Sequence, residues 1–483
     1  MEYRGEEGVL DAWRRLEGVN LSRDLLRNSP AIRGLSVTLR TNVIGDYGKL
    51  VLIGDDPWFQ QAQDWFNDVW AKHADFIDGA TFRECLQLIV TSLHFEGDFV
   101  VVFDDGILSG DKRGTGRLAF FETDQICNLT ADAFQPYKDK GWTQDCGILR
   151  DKLGRKCGVV VSRNRGQQET ELKDAFVLTM DPSNPDAAPW RHVVRKFRLR
   201  QLRGVPPSFS TLATAIDSAE LLAAELQTSK LAASRYASVV EGPEETQGAA
   251  TGFDDEKDTG EGDENDSEKE VEEDEEEARA EALETYCAGR VDYLPPNYSV
   301  TFDPPNHPNS KLEEFLGYTT DVTGRAHGLS SAYARGRADT SYTAFRGEAI
   351  ATWMSFKDSQ QFLEDAFSDW CAVSAIRWAM KTGALGEGPA GWEKFVSFSY
   401  PRMPSVDEGK EIDATERKLR AGLTTYRELL GPQYKAQLKQ LADELKYARD
   451  LGLPLSVFET VAGAAKDAGT TEGDSRDGEG QDE

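Results

Sequence analysis

Apolar residues recur at three- and four-residue steps through Leu212, Ala215, Ile216, Ala219, Leu222, Ala223 and Leu226, the spacing that lines one face of an α-helix. The stretch 204–240 opens with Pro206 and Pro207, which fit a first helical turn, and meets no further Pro or Gly before Gly242. At 1.5 Å per residue such a rod is about 45 Å long. That length reads either as a buried core helix or as a shaft that packs against copies of itself.

The flanks change period. Residues 1–45 read as Arg-rich helices meeting at Asn28-Ser29-Pro30, with Pro30 opening the second; Arg23, Arg27, Arg33 and Arg40 there are expected to be solvated or paired with acids. Residues 55–70 and 82–96 carry aromatics at helical spacing, a stripe expected in the core. From Gly97 the period becomes two: DFVVVFDD, RLAFFETDQICNL, CGILRD, KCGVVVSRN and DAFVLTMD read as strands separated by Gly and Asp turns. The segment 153–156 fits a hairpin turn in which Gly154 takes a positive φ. A β-rich layer following helices predicts an α+β fold, and no regular strand-helix alternation points to a doubly wound sheet.

Beyond the rod, short strands broken by Pro295, Pro296, Pro304 and Pro305 return, and helix resumes over 311–323. The Gly/Ser/Ala-rich stretch 325–343 is expected to be too weakly apolar to anchor a core. A second long helix is predicted over 345–381, and helices broken at Gly422, Gly431-Pro432 and Gly452 over 412–461.

Charge adds two segments. The chain of 483 residues carries a net −29, of which 241–280 supplies −16 from 19 acidic and 3 basic residues, and 466–483 supplies −5 from 7 and 2. Such runs with few aromatics are expected to be a solvated, disordered loop and tail. Against this background 191–203 is basic throughout: Arg191, Arg195, Lys196, Arg198, Arg200 and Arg203 stand there with no acid among them. Beside Phe197 they suit phosphates or a neighbouring subunit's carboxylates.

Six scattered cysteines form no C-x-x-C pair, which fits a reducing setting. No run approaches eighteen apolar residues and no charged-then-apolar leader opens the sequence, so neither export nor membrane spanning is expected. Chemical motifs are sparse. There is no phosphate-cradling G-x-x-x-x-G-K-[ST], no G-x-S-x-G and no H-E-x-x-H. The stretch 386–391 matches G-x-G-x-x-G in letters but follows a helix and contains Pro389, so it fails the context that a dinucleotide site requires. Asp104-Asp105 and Asp254-Asp255 suit a metal only if other ligands converge. No catalytic residue, metal site or cofactor is predicted, and the chain is not expected to be an enzyme.

The order of several segments resembles the lambda-like portal proteins of tailed bacteriophages. LLRNSPAIRGLSVTLRTNVIG over 25–45 is similar to that family's N-terminal segment. TSLHFEGDFVVVF follows with its Glu96-Gly97-Asp98 turn, then FFETDQICN and the CGILRDKLGRKCGVVVS hairpin, and Arg203-Gly204-Val205-Pro206 corresponds to the R-G-[VI]-P element that opens the long helix. The layout of 302–353 and of 411–453 follows the family as well. The sequence departs from it in the Asn-Tyr-Ser-Ser segment, present loosely as Ser330-Ser331 and Thr340-Ser341-Tyr342, in the displaced Gln201 and in the acidic insert.

The resemblance implies a portal fold of wing, stem, clip and crown. N-terminal helices and the β-rich wing would occupy 1–200, a stem helix 204–240, and a clip with the acidic insert (241–280) 241–300. A second stem helix would follow at 309–324, a tunnel loop at 325–343, a long helix and wing return at 344–405, a crown at 406–465 and the acidic tail at 466–483. It implies a homo-oligomeric ring, a dodecamer in the virion, assembled in the host cytoplasm at one capsid vertex. The terminase large subunit, the major capsid and scaffold proteins and a head-tail adaptor would be partners, and double-stranded DNA would pass without sequence specificity. Arg325, Arg335 and Arg337 would then face DNA, and Leu212, Ile216, Leu222 and Leu226 would pack the stem. Two other readings are an acidic, chaperone-like binder of basic partners, prompted by the insert, and a metal-dependent nuclease built from scattered carboxylates.

Overall fold

The computed structural model describes residues 10–54, 56–234, 238–240, 299–301, 311–337, 341–404, 408–430 and 434–452. Helix α1 (Ala12–Asn28) starts where the Asp11 carboxylate accepts a hydrogen bond from the Arg14 amide at 2.8 Å. It ends at Ser29, whose hydroxyl caps α2 (Pro30–Val43) with Pro30 in the first turn, as the Asn-Ser-Pro junction predicts. Strand β1 (Lys49–Leu52) precedes α3 (Pro57–Asp64), which widens into a π-helical turn at Trp65–Trp70. Helix α4 (Phe82–Phe95) begins on a reciprocal Thr81/Glu84 capping box. The aromatic stripe is core: Trp58, Phe59, Phe66, Trp70 and Phe82 are buried, with Phe66 edge-on to Phe82 at 5.5 Å.

The β layer begins at β2 (Asp98–Phe103), buried along its whole length and flanked antiparallel by β3 (Leu118–Glu122) and by β10 (Trp190–Val194). Alternation gives β2 two cores. Phe99, Val101 and Phe103 join the helical core, while Val100 and Val102 join Ile126, Ile148, Val159 and Trp190 on the other side. Between β3 and β10 lie β4 (Asn128–Leu129), α5 (Ala131–Lys138), β5 (Thr143–Asp145), β6 (Ile148–Arg150), β7 (Lys156–Ser162), β8 (Glu169–Thr170) and β9 (Ala175–Thr179). β5, β6, β7 and β9 form one antiparallel sheet in that order. The β6-β7 hairpin turns at Gly154 with φ +79°, as the sequence predicts.

The predicted rod is shorter than 204–240. Pro206 is extended, Pro207–Thr211 forms a 3-10 turn, and α6 runs Leu212–Ser234. Its tail does not continue the helix: β11 (Ser238–Val240) pairs antiparallel with β12 (Ser299–Thr301), since β-branched Val239 and Val240 favour a strand. Of the clip predicted over 241–300, only Ser299 and Val300, in β12, are described; the acidic insert at 241–280 lies outside the described residues.

Helix α7 (Leu312–Ala326) then packs on α6. A correction falls on 325–343. This stretch contains α8 (Ser331–Arg335), and Leu329, only 3% exposed, sits in the main core with Tyr333 and Ala334 packed against it. Gly328, at φ +80°, makes the turn that drops Leu329 inward. The second long helix runs as α9 (Tyr342–Leu363), a π-helical turn at Glu364–Ser368 and α10 (Asp369–Thr382). β13 (Val396–Ser399) returns to pair with β1. Helices α11 (Glu408–Arg420), α12 (Tyr426–Leu430) and α13 (Tyr434–Asp450) follow. Residues 453–483 lie outside the described residues.

Candidate functional site

The start of α6 is fixed by two segments far apart in sequence. Arg203, 1% exposed, donates from Nε to Asp98 Oδ2 at 2.7 Å and from Nη2 to Asp98 Oδ1 at 3.1 Å. Its remaining donors meet the carbonyls of Ile126 (3.1 Å), Cys146 (3.0 Å) and Thr123 (2.8 Å). Cys146 takes a left-handed φ of +49° where it offers that carbonyl. Asp98, fully buried, also accepts from Thr123 Oγ1, His192 Nε2 and the Gly204 amide. Burial opposes both charges, yet their mutual attraction raises the Arg203 pKa and, with the His192 hydrogen bond, holds the Asp98 carboxyl well below its ordinary value. Burial and then Lys156 push His192 down to about 4, so its imidazole is neutral at pH 7.

Two glycines allow this contact. A Cβ on Gly204 would stand 2.0 Å from the Gly97 carbonyl oxygen, and Gly97 takes φ +103°. The Glu96-Gly97-Asp98 turn and the Arg203-Gly204-Val205-Pro206 element therefore form one buried joint. Arg15 of α1 also donates to the Gly204 carbonyl.

From this joint α6 grows more exposed along its length. Leu212 and Ile216 pack against the main core and Ala215 is buried, whereas Leu222 is 50% and Leu226 54% exposed. The four predicted stem residues thus divide, two covered by their own chain and two open. On α7, Thr319, Thr323 and Gly324 are buried while Phe315, Tyr318 and Val322 are exposed.

Two of the three predicted channel arginines are ion-paired within the chain. Arg335 pairs with Asp321 of α7, Nε to Oδ1 at 2.7 Å, and Arg337 Nη1 reaches Glu313 Oε1 at 2.7 Å. Arg325 lies in the last turn of α7 at the rim of a cavity of about 750 Å³. This cavity also meets His94, Lys196, Phe197, His327 and Met354. His94 and His327 face each other through their Nδ1 atoms at 3.2 Å, and His327 stacks on Phe95 at 4.8 Å. Burial pushes His327 down to about 4; burial, then His327 and Arg195, lower His94 well below its ordinary value. Sequence reasoning missed this pair, whose members stand 233 residues apart.

Much of the basic run is paired internally. Arg191 meets Asp186, Arg195 meets Asp358, and Arg203 meets Asp98. Arg23 is likewise held by Glu96, Glu122 and Asp124, and Arg27 by Asp24. Asp104 is turn chemistry: its oxygens accept from the amides of Gly106, Leu108, Ser109 and Thr115. Among the described residues no group of three or more His, Cys, Asp or Glu is placed to hold a metal ion, and no helix is long and apolar enough to cross a membrane.

The family described as phage portal protein, lambda family, matches residues 4–360. The chain belongs to that family. The matched range contains the Asp98–Arg203 joint, α6 and α7, and it stops within α9. Lambda-family portal proteins are structural proteins, and this chain is a portal, or connector, protein with an α+β fold. Two solved structures resemble it at 12% identity. One is the virion of a native gene transfer agent particle, with a TM-score of 0.47, covering 86% of this chain and 93% of that one. The other is the neck of the native particle computed with C12 symmetry, with a TM-score of 0.46, covering 85% and 93%. No curated protein sequence matches the chain.

Proposed function

We propose that this portal protein closes into a homo-oligomeric ring, a dodecamer in the virion, at one vertex of a phage capsid. Double-stranded DNA is driven in through the ring by the terminase and later leaves through it, without sequence specificity. The observation that carries this reading is the family match over 4–360, which includes the joint from which α6 projects with Leu222 and Leu226 uncovered. A helix face left open by its own chain gains a partner when copies surround a common axis.

In this reading α6 and α7 form the stem, the sheets before Arg191 and the α9-α10 helix with β13 the wing, and α11 to α13 the crown. The segment 241–300 forms the clip, which docks the terminase large subunit and then the head-tail adaptor. Scaffold and major capsid proteins hold the ring in place, and assembly takes place in the host cytoplasm. Arg335 and Arg337 approach the DNA as weak phosphate contacts, whereas Arg325, at the cavity rim, is turned to another use. The chain's net −29 repels phosphate and keeps DNA from adhering.

Native mass by light scattering, with particles imaged on the same sample, tests the ring. Twelve copies of 53.6 kDa give roughly 640 kDa with a central hole. A chain that stays monomeric both alone and with its scaffold and capsid proteins would overturn the reading.

A further inference from the structure

We propose that the cationic face around the 750 Å³ cavity of one copy receives the outward face of α6, bearing Asp217, Glu220 and Leu221, from the next copy in the ring. The inference rests on the ring reading and deepens it by naming the two surfaces that meet. On the first surface Phe197 is 70% and Met354 68% exposed, beside exposed Lys196 and Arg325. Neither of these two cations has an ion-pair partner among the described residues.

The segment that carries Lys196 and Phe197 is built to project. Gln201, fully buried, accepts from the amides of Phe197 at 3.0 Å and Arg198 at 3.4 Å and donates to the Arg203 carbonyl at 2.8 Å. Arg200 is held at φ +59°, a conformation that a non-glycine residue rarely adopts, and Leu199 is left 93% exposed. A backbone clamped in this way holds apolar side chains out at low entropic cost, which favours association.

The second surface follows from the helix period. Leu212, Ala215 and Ile216 turn one side of α6 into its own core. Asp217 and Leu221 therefore stand on the opposite side, with Glu220 on the flank next to Asp217, and all three are exposed. No ion pair neutralises either carboxylate among the described residues. Copies in a cyclic ring are related by rotation alone, so contacts join points at similar heights along the axis. The cavity wall includes Pro206, Pro207 and Ser210, and Asp217 and Glu220 follow within about three helical turns. Two cations with two apolar side chains on one surface thus meet two carboxylates and a leucine on the other. This makes a heterologous, head-to-tail contact of the kind that closes rings.

Charge reversal tests the pairing in the full-length protein. Lys196→Glu with Arg325→Glu, or Asp217→Lys with Glu220→Lys, is expected to cut the ring fraction roughly tenfold or more, and all four changes together to restore it. Doubles that assemble as wild type, or a folded quadruple without rescue, overturn the contact while leaving the ring reading intact. A wild-type chain that forms no ring even with its scaffold and capsid proteins overturns both. Phe197→Cys with Leu221→Cys, in a Cys287→Ser background whose five described cysteines are buried, gives an independent reading. Oxidation of rings is expected to yield a ladder of linked chains, and monomers from intact rings would reject the contact.

Discussion

Arg203 stands 105 residues from Asp98 in sequence and 2.7 Å from it in space, with neither side chain reached by water. Replacing Arg203 with Ala strands a buried carboxylate and three carbonyls. A loss of about 3–5 kcal/mol is expected, read as a fall in the urea midpoint. A loss under about 1 kcal/mol would show that the joint does not hold the chain together.

The glycines of the joint give a graded comparison. Gly204→Ala places a Cβ against the Gly97 carbonyl and is expected to cost about 1–3 kcal/mol. Gly154→Ala meets nothing within 4 Å and pays only for its φ of +79°, about 1 kcal/mol. Thermal melts of the two variants should rank in that order.

Buried imidazoles make the fold acid-labile. His192 and His327 are each pushed down to about 4 by burial, while an unfolded His titrates near 6.5. Between these values the unfolded chain binds more protons, so stability is full above about pH 6.5 and falls as pH drops toward about 4. Asp104, lowered to about 2 by backbone and hydroxyl donors that outweigh its burial, extends the loss from about pH 4 downward. Urea titrations across this range should show both limbs, and Asp104→Asn should flatten the lower one.

Leu329 and Leu222 are expected to separate folding from assembly. Leu329→Ala opens a cavity in the main core and should cost about 2–5 kcal/mol in the isolated chain. Leu222→Ala removes a half-exposed side chain, with about 0.5 kcal/mol or less lost by the monomer. A deficit seen only in the ring would assign Leu222 to contacts between copies.

Arg335→Glu with Arg337→Glu breaks ion pairs with Asp321 and Glu313 at the surface. The chain should lose about 1 kcal/mol per pair or less and still assemble. Packaging or retention of DNA is expected to fall. Normal packaging by the double variant would remove these arginines from the channel.

What local pattern controls was readable from the residues. Period three-to-four gave the aromatic helices and the core of α6, period two gave β2, β7 and β9, and Gly154 marked its hairpin. Contacts that depend on tertiary placement were hidden. The buried state of Leu329 was missed because one leucine in a Gly/Ser-rich stretch carries no periodic signal, and its neighbours Tyr333 and Ala334 complete the packing only after the turn at Gly328. Asp98 and Arg203 each lie in a segment that resembles the family, yet nothing local couples them. The basic run suggested a phosphate surface, but Asp186, Asp358 and Asp98 arrive from elsewhere to neutralise three of its members.

The pairing of β1 with β13 sets an order of events during synthesis. Lys49 and Ser399 lie 350 residues apart. At about 5–20 residues per second the first strand waits on the order of tens of seconds for its partner to leave the ribosome. Helices α6 and α7 have emerged by then, while the β1-β13 pair is still open. Closure of the body is thus expected to come late, and a nascent chain stalled before Val396 to remain sensitive to protease around 49–52. If the proposed ring forms, a subunit made in this order would present its association surfaces before its own fold is sealed.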